Sequence, residues 1–76
     1  MSRLTPVHYR KLAKVFENKG FIYVRTRGDH LIYEKEGIIR PIVIPMYKEI
    51  PEFIILRNLK TACITRKEYL KLLEQI

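Results

Sequence analysis

The chain has little cysteine, little histidine and no long apolar run, and each shortage excludes a class of protein. The single cysteine, Cys63, rules out an internal disulfide and fits a reducing compartment. The two histidines, His8 and His30, lie far apart in the sequence, so we expect no structural zinc site. No apolar stretch suits a secretory signal or a membrane span, which predicts a cytoplasmic protein.

Linkers, internal repeats and nucleotide-binding motifs are also missing. With 76 residues, the chain predicts a single domain over residues 1–76, whose core is thin and which has no cleft between domains. No phosphate loop, dinucleotide fingerprint or metal motif is present, so we expect no cofactor and no metal. A content of 47% hydrophobic and 30% charged residues is typical of a folded protein.

Acidic residues are scarce relative to basic ones, which indicates a polyanion as the partner. The chain has 15 Lys and Arg against 8 Asp and Glu, and residues 1–27 carry seven basic side chains against one acidic. Nucleic acid is the commonest such partner, although composition alone also allows an acidic protein or a membrane surface. Lys11 and Lys14 form either a solvated helix face or a phosphate-binding one. For Arg25 and Arg27 we favour phosphate binding.

The first predicted element is a helix over residues 5–19. Thr5 is a favourable N-cap, and Pro6 suits the first helical position because its missing N–H has no partner there. Apolar side chains then recur at helical spacing, at Tyr9, Leu12, Ala13 and Phe16. Gly20 follows, and glycine readily adopts the left-handed conformation that ends a helix.

A β-hairpin is predicted next, because Gly28-Asp29 separates two runs rich in β-branched and aromatic residues. With these two residues as the loop, Arg27 lies opposite His30, and Arg25 lies opposite Ile32. Alternation then assigns one face to Phe21, Tyr23, Arg25, Arg27, His30 and Ile32. The other face, which we expect to join the core, carries Ile22, Val24, Leu31 and Tyr33.

The rest of the chain predicts one more strand and two helices. Residues 38–45 form the third strand, which Pro41 restricts to a sheet edge, and both of its alternating faces are apolar. An apolar stripe predicts a helix over residues 52–61, and Thr65 with Glu68 forms a capping box before a last helix. This order, α-β-β-β-α plus a C-terminal helix, predicts an α+β fold. We expect a three-stranded antiparallel sheet with helices on one face.

His30 is the candidate catalytic residue, because it follows the turn on the face predicted for Arg25 and Arg27. RNA can be cleaved without a metal when a base removes the 2′-hydroxyl proton and an acid protonates the 5′-oxygen that leaves. Histidine can fill either role near neutral pH, and guanidinium groups stabilise the charge that develops on the phosphate. A structural histidine is the alternative that spacing alone leaves open.

Four segments, taken in order, resemble the HicA family of toxin ribonucleases over about residues 7–64. The family pattern is a helix ending in Gly-Phe, a Gly-Ser-His hairpin, a strand ending in Val-Pro and a downstream helix. The matching segments are Lys19-Gly20-Phe21, Val24 to Tyr33, Val43-Ile44-Pro45 and Leu56 to Ile64. No single segment is specific by itself, and the resemblance depends on the ordered set.

The resemblance implies a double-stranded-RNA-binding-domain-like fold, metal-independent cleavage of mRNA by His30, and control by a HicB-type antitoxin. Three residues depart from the family pattern. Asp29 replaces the commoner serine, Leu31 stands where a second histidine is frequent, and Cys63 replaces the usual glycine. Asp29 either favours the protonated form of His30 or only shapes the turn, and its charge allows a weakened or altered nuclease.

Three hypotheses follow for the function. The leading one is a cytoplasmic endoribonuclease toxin, with His30 as the catalytic residue and with mRNA and a HicB-like antitoxin as partners. Its predicted RNA-binding residues are Arg25, Arg27, Gly28, Lys11 and Lys14. The alternatives are a non-catalytic RNA-binding module of the same fold and an interaction domain for an acidic protein. None of the three requires a cofactor or a membrane.

Overall fold

Two helices pack on one face of a three-stranded antiparallel sheet, and a third packs against these helices, in the computed structural model, which describes residues 3–76. The elements in chain order are α1 (Tyr9–Asn18), β1 (Ile22–Arg27), β2 (His30–Glu34), β3 (Ile42–Pro45), α2 (Glu52–Ala62) and α3 (Arg66–Glu74). The predicted α+β class and order are confirmed, including the extra C-terminal helix. The first two residues of the predicted domain lie outside the described residues.

The core lies between the helices and one side of the sheet, which we call the inner face. Tyr33, Ile42 and Ile44 form this face and are buried together with Phe16 of α1 and Ile55 of α2. The opposite side of the sheet is called the outer face and carries Arg25, Arg27, His30, Ile32 and Val43. Because β2 lies between β1 and β3, residues of all three strands meet on the outer face.

Helix α1 begins later than predicted, and Thr5 is not its N-cap. Val7 is still extended and pairs with Ile50, with backbone hydrogen bonds of 3.3 and 2.7 Å between them. Both side chains are buried, so the pairing keeps the chain extended up to this point. The N-cap is His8, whose Nδ1 accepts a hydrogen bond from the N–H of Arg10 at 3.1 Å.

The end of α1 is as predicted, and it directs the chain into the sheet. Gly20 has φ +99°, and its N–H donates to the carbonyl of Glu17 at 3.0 Å. The N–H of Phe21 donates to the carbonyl of Phe16 at 2.9 Å, and the two rings meet edge to face at 5.5 Å between centroids. This is a Schellman cap with its apolar contact, and it places Phe21 in the core.

The predicted pairing of the hairpin is confirmed next to the turn. Arg27 lies opposite His30, and Arg25 lies opposite Ile32. The register then shifts between Tyr23 and Arg25, where the intervening residue forms a β-bulge. Arg25 and Arg27 lie between the bulge and the turn, so the bulge does not change the direction of their side chains toward the outer face.

The bulge makes the predicted faces wrong for the first half of β1. Tyr23 pairs with Tyr33 on the side of the inner face, with 5.8 Å between ring centroids, rather than lying beside His30. Ile22 and Val24 were expected in the core, but both are exposed, and Ile22 is 69% exposed. A register shift of one residue moves all side chains beyond it to the opposite face of the sheet. An alternating pattern of apolar residues does not predict such a shift.

Strand β3 is shorter than predicted and lies at an edge, in accord with Pro41. It begins at Ile42, directly after the proline, which has no N–H to donate to the sheet. Ile42 and Ile44 are fully buried on the inner face, while Val43 is exposed on the outer face. The structure thus resolves the ambiguity between the two apolar alternations of this segment.

Helix α2 runs one residue further than predicted and ends at a left-handed residue that is not glycine. Cys63 has φ +60°, and the N–H of Ile64 after it donates to the carbonyl of Leu59 at 2.9 Å. The cap has the same geometry as the one at Gly20, but here a Cβ occupies the left-handed conformation. Glycine has no Cβ and would adopt this conformation without strain.

We predict that Cys63→Gly raises the free energy of unfolding by about 1 kcal/mol, because glycine removes the Cβ strain at φ +60°. For a domain of this size the melting temperature is expected to rise by about 4–8 °C. Thermal unfolding of the variant beside Cys63→Ala provides the measurement, since alanine removes the thiol and retains the strain. Equal melting temperatures for the glycine and alanine variants would refute the strain.

Helix α3 begins at the predicted cap and is joined to the end of α1. The hydroxyl of Thr65 accepts a hydrogen bond from the N–H of Glu68 at 3.0 Å. The carboxylate of Glu68 contacts the ammonium of Lys19, and this contact lowers the pKa of Glu68. Tyr69 of the same helix is buried in the core, so α3 is part of the packed structure.

Candidate active site

The outer face brings together His30 and the two arginines that were predicted to accompany it. Arg27 is the direct cross-strand partner of His30, and Arg25 is the partner of Ile32, the next residue on the same face of β2. On the other side of β2, His30 lies opposite Pro45, and Ile32 lies opposite Val43. The histidine is thus flanked by a cation on one strand and by apolar side chains on the other.

The imidazole of His30 is accessible and is held on one side by its neighbour. The His30 side chain is 43% exposed, and its Nδ1 lies 3.0 Å from Oδ1 of Asp29. The Asp29 carboxylate is itself 73% exposed, so water competes for this contact. A carboxylate at Nδ1 leaves Nε2 as the ring nitrogen available to a ligand.

The two-residue turn before His30 contains a glycine in the left-handed region. Gly28 has φ +62°, which with a negative φ at Asp29 matches the start of a type II′ hairpin turn. The carbonyl of Asp29 accepts a hydrogen bond from the N–H of Met46 at 2.9 Å. This bond attaches the turn to the segment after β3, which fixes the position of His30.

The two arginines of the outer face are exposed, and their guanidinium groups have no partner among the described residues. Within residues 3–76, no hydrogen bond or ion pair involves the guanidinium of Arg25 or Arg27. Arg27, His30, Ile32 and Val43 line a shallow hollow of about 430 Å³. An arginine without a partner beside an accessible histidine is an arrangement that can bind a phosphate.

Two arginines that sequence reasoning missed line a groove that also includes His30. A groove of about 400 Å³, here called the β3 groove, runs between β3 and α2, and its lining includes His30, Arg40, Val43, Tyr47, Arg57 and Asn58. Arg40 and Arg57 belong to a stretch of sequence with almost balanced charge, so composition gave no sign of them. The packing of α2 beside β3 places them in the same groove as His30.

Lys11 and Lys14 are exposed, but they do not join this site. Both lie on α1, which packs on the inner face, and neither lines the hollow or the β3 groove. Gly28 lies in the turn next to His30, and no heavy atom lies within 4 Å of the position that a Cβ would take there. Of the predicted binding residues, the structure brings Arg25, Arg27 and Gly28 to His30 and leaves the two lysines apart.

Comparison with protein families decides where this chain belongs. The sequence profile described as the HicA toxin of bacterial toxin–antitoxin systems matches residues 9–64. The chain belongs to the HicA toxin family. The match runs from the first residue of α1 to the end of α2 and includes the whole sheet, so α3 alone among the helices lies outside it.

Membership of the HicA family carries a toxin role and an antitoxin as partner. No curated protein and no solved structure matches the chain. Across residues 3–76, none of the helices has the length and apolar character that crossing a membrane requires. The family assignment places His30, Arg25 and Arg27 inside the matched domain.

Proposed function

We propose that the chain is the endoribonuclease of a toxin–antitoxin pair and that it cleaves mRNA in the cytoplasm with His30 as the catalytic residue. The observation that carries this proposal is an accessible histidine on the outer face beside two exposed arginines whose guanidinium groups have no partner among the described residues. The toxin family to which the chain belongs supports the same conclusion.

The proposed reaction needs a base, an acid and positive charge. Nε2 of His30 removes the proton from a ribose 2′-hydroxyl, and the 2′-oxygen attacks the adjacent phosphorus. The bond from phosphorus to the 5′-oxygen breaks, and this oxygen takes up a proton from solvent water, while the exposed His30 returns the proton that it accepted to solvent. The products are a 2′,3′-cyclic phosphate and a 5′-hydroxyl. Because RNA supplies its own nucleophile, the proposed step requires no metal ion.

The arginines are proposed to hold the phosphate and to stabilise the charge that develops on it. Arg27 lies opposite His30, so we assign it to the phosphate that is cleaved. Arg25 lies further along the same face and is assigned to a neighbouring phosphate. The open space at Gly28 allows the RNA backbone to approach the turn closely. Lys11 and Lys14 act at longer range, by attracting the polyanion.

Asp29 is proposed to orient the ring rather than to replace a catalytic group. Its carboxylate, 3.0 Å from Nδ1 of His30, favours the tautomer that keeps the proton on Nδ1 and leaves Nε2 basic. Asp29 also occupies the turn, so we propose that it both shapes the turn and orients the imidazole. We therefore propose that the chain remains an active nuclease without the serine that is common in the family.

The proposed protein partner is a HicB-like antitoxin that holds the nuclease in check. A net charge of +7 favours a partner with an acidic surface, because opposite potentials accelerate association and disfavour other partners. The gene beside this one is expected to encode such a protein. Purification of the two chains together tests this association directly.

Incubation of the purified chain with RNA in EDTA tests the proposed chemistry. We expect fragments with free 5′-hydroxyl ends, which polynucleotide kinase labels without prior phosphatase treatment. A 2′-deoxy substitution at the cleaved nucleotide is expected to block cleavage, because it removes the nucleophile. Salt-dependent RNA binding without cleavage at any pH would contradict the proposal and would identify a non-catalytic RNA-binding module.

A further inference from the structure

The β3 groove contains polar groups that the proposed reaction does not use. Arg40 precedes β3 and Arg57 lies on α2, so the two cations stand on opposite walls, and neither has an ion-pair partner within residues 3–76. Asn58 is 5% exposed, and its amide Nδ2 is buried without a hydrogen-bond partner among the described residues. An unpaired buried amide costs stability, so its presence in the lining of a groove requires an explanation.

We propose that the β3 groove binds the nucleotide next to the cleaved phosphate, and that Asn58 recognises the base of this nucleotide. The inference rests on the proposed function, because His30 lines both the groove and the hollow of the outer face. A strand whose phosphate lies at His30 continues from there into the groove. The Asn58 amide, which carries both donors and an acceptor, then pairs with the edge of the base.

The size and lining of the groove fit one unpaired nucleotide. A volume of about 400 Å³ is at the lower end of small-ligand sites, which span about 300–1,000 Å³. Tyr47 is half exposed in the lining and offers a ring for stacking, beside the apolar side chains of Val43 and Ile54. Unpaired bases held by stacking and by edge hydrogen bonds are the usual targets of sequence-specific RNA recognition.

The charges of the groove favour RNA over a protein segment. None of the described side chains in its lining is acidic, while Arg40 and Arg57 both contribute positive charge. Two guanidinium groups in one lining favour a ligand that carries phosphates, as a nucleotide in a strand does. A segment of the antitoxin is the competing occupant, and the experiment below distinguishes the two.

The arginines are tested by RNA binding in the catalytically inactive His30→Ala background, which keeps the RNA intact. Fluorescence anisotropy with short single-stranded RNA measures the dissociation constant for Arg40→Gln and Arg57→Gln. Each is expected to weaken binding about 10-fold and to reduce the slope of log K against log salt by about 0.7, as loss of one phosphate contact requires. Lys67→Gln on the exposed side of α3 is the matched control for the loss of one charge.

Asn58 is tested by Asn58→Leu, which has a similar volume and no polar group. Its melting temperature is expected to equal or exceed that of the parent, because an unpaired buried amide is removed. Oligonucleotides that differ at one position are expected to bind the parent background with about 10-fold discrimination between bases. In the Asn58→Leu background we expect discrimination to fall below about 2-fold, with the same salt slope.

The outcomes separate the groove inference from the proposed function. The groove inference would be overturned if Asn58→Leu kept the base preference of the parent background. It would also be overturned if the arginine variants bound RNA like Lys67→Gln. Cleavage of RNA by the parent chain would still support the proposed nuclease in either case. Base preference that depends on Asn58 in a chain that cleaves no RNA would support the groove and contradict the nuclease. Variants that lose antitoxin binding and keep RNA binding would identify the groove as a protein-docking surface and overturn the inference.

Discussion

Cells that express the His30→Ala variant are expected to grow like cells that carry no toxin, whereas the parent chain arrests their growth. Loss of a general acid–base group lowers a rate by about 10²–10⁴-fold, so we expect the proposed mRNA cleavage to become too slow to arrest growth. The side chain of His30 is 43% exposed, and within residues 3–76 its ring has the Asp29 carboxylate as its one ion-pair partner, so the fold is expected to survive. Growth after induction, with the melting temperature of the purified variant, is the measurement.

His8→Ala is the matched control for this prediction, because the chain has two histidines. His8 is exposed at the N-cap of α1, where its loss removes one hydrogen bond to the helix backbone. We expect this variant to lose about 1 kcal/mol of stability and to retain its toxicity. Growth arrest by His30→Ala at an equal level of folded protein would contradict the catalytic assignment.

The double variant Arg25→Gln/Arg27→Gln is expected to lose RNA affinity by about 100-fold, because two charge-assisted contacts to phosphate disappear. Neither guanidinium has a partner within residues 3–76, so their removal leaves no buried charge unpaired and stability is expected to change little. The slope of log K against log salt is expected to decrease by about 1.4 for a single-stranded RNA. Titrations at several salt concentrations measure both quantities.

Lys67→Gln/Lys71→Gln provides the comparison for the loss of two charges, since both lysines are exposed on α3 and line neither the hollow nor the β3 groove. Its RNA affinity is expected to change by less than about 5-fold, through the net charge alone. If both double variants lose the same affinity, the arginines contribute only general charge, and their assignment to specific phosphates is wrong.

Local signals in the sequence were sufficient for the part of the fold that positions His30. Gly28-Asp29 between two strand-forming runs determined the turn, and the two-residue loop determined that Arg25 and Arg27 share a face with His30. The C-terminal cap of α1 at Gly20 and the N-cap of α3 at Thr65 were also predictable from the sequence, because each depends on backbone chemistry within a few residues.

Features that depend on distant contacts were not predictable in the same way. The start of α1 is set by the pairing of Val7 with Ile50, which competes with the local preference of Thr5 for an N-cap. The bulge at Val24 reverses the faces of β1 beyond it, and an alternating apolar pattern contains no sign of an inserted residue. The first error reflects a tertiary contact that overrides a local preference, and the second reflects an irregularity in strand pairing that the apolar pattern does not encode.

The β3 groove illustrates the same limit for the candidate site. Arg40, Arg57 and Asn58 are separated from His30 by at least ten residues of sequence, and only the packing of α2 beside β3 brings them into one lining. The excess of basic residues in residues 1–27 led to the prediction that Lys11 and Lys14 bind RNA at the site, but both lie on the helical side of the molecule. Local charge thus identified the outer-face arginines but not the groove.

Cleavage of one RNA in excess EDTA by the parent chain and by His30→Ala, followed side by side, tests the central claim most directly. We predict that the parent produces fragments with 5′-hydroxyl ends and that the variant is slower by about 10²–10⁴-fold while it remains folded. Equal rates for the two proteins, or no cleavage by the parent at any pH, would contradict the claim that His30 carries a metal-independent RNA cleavage.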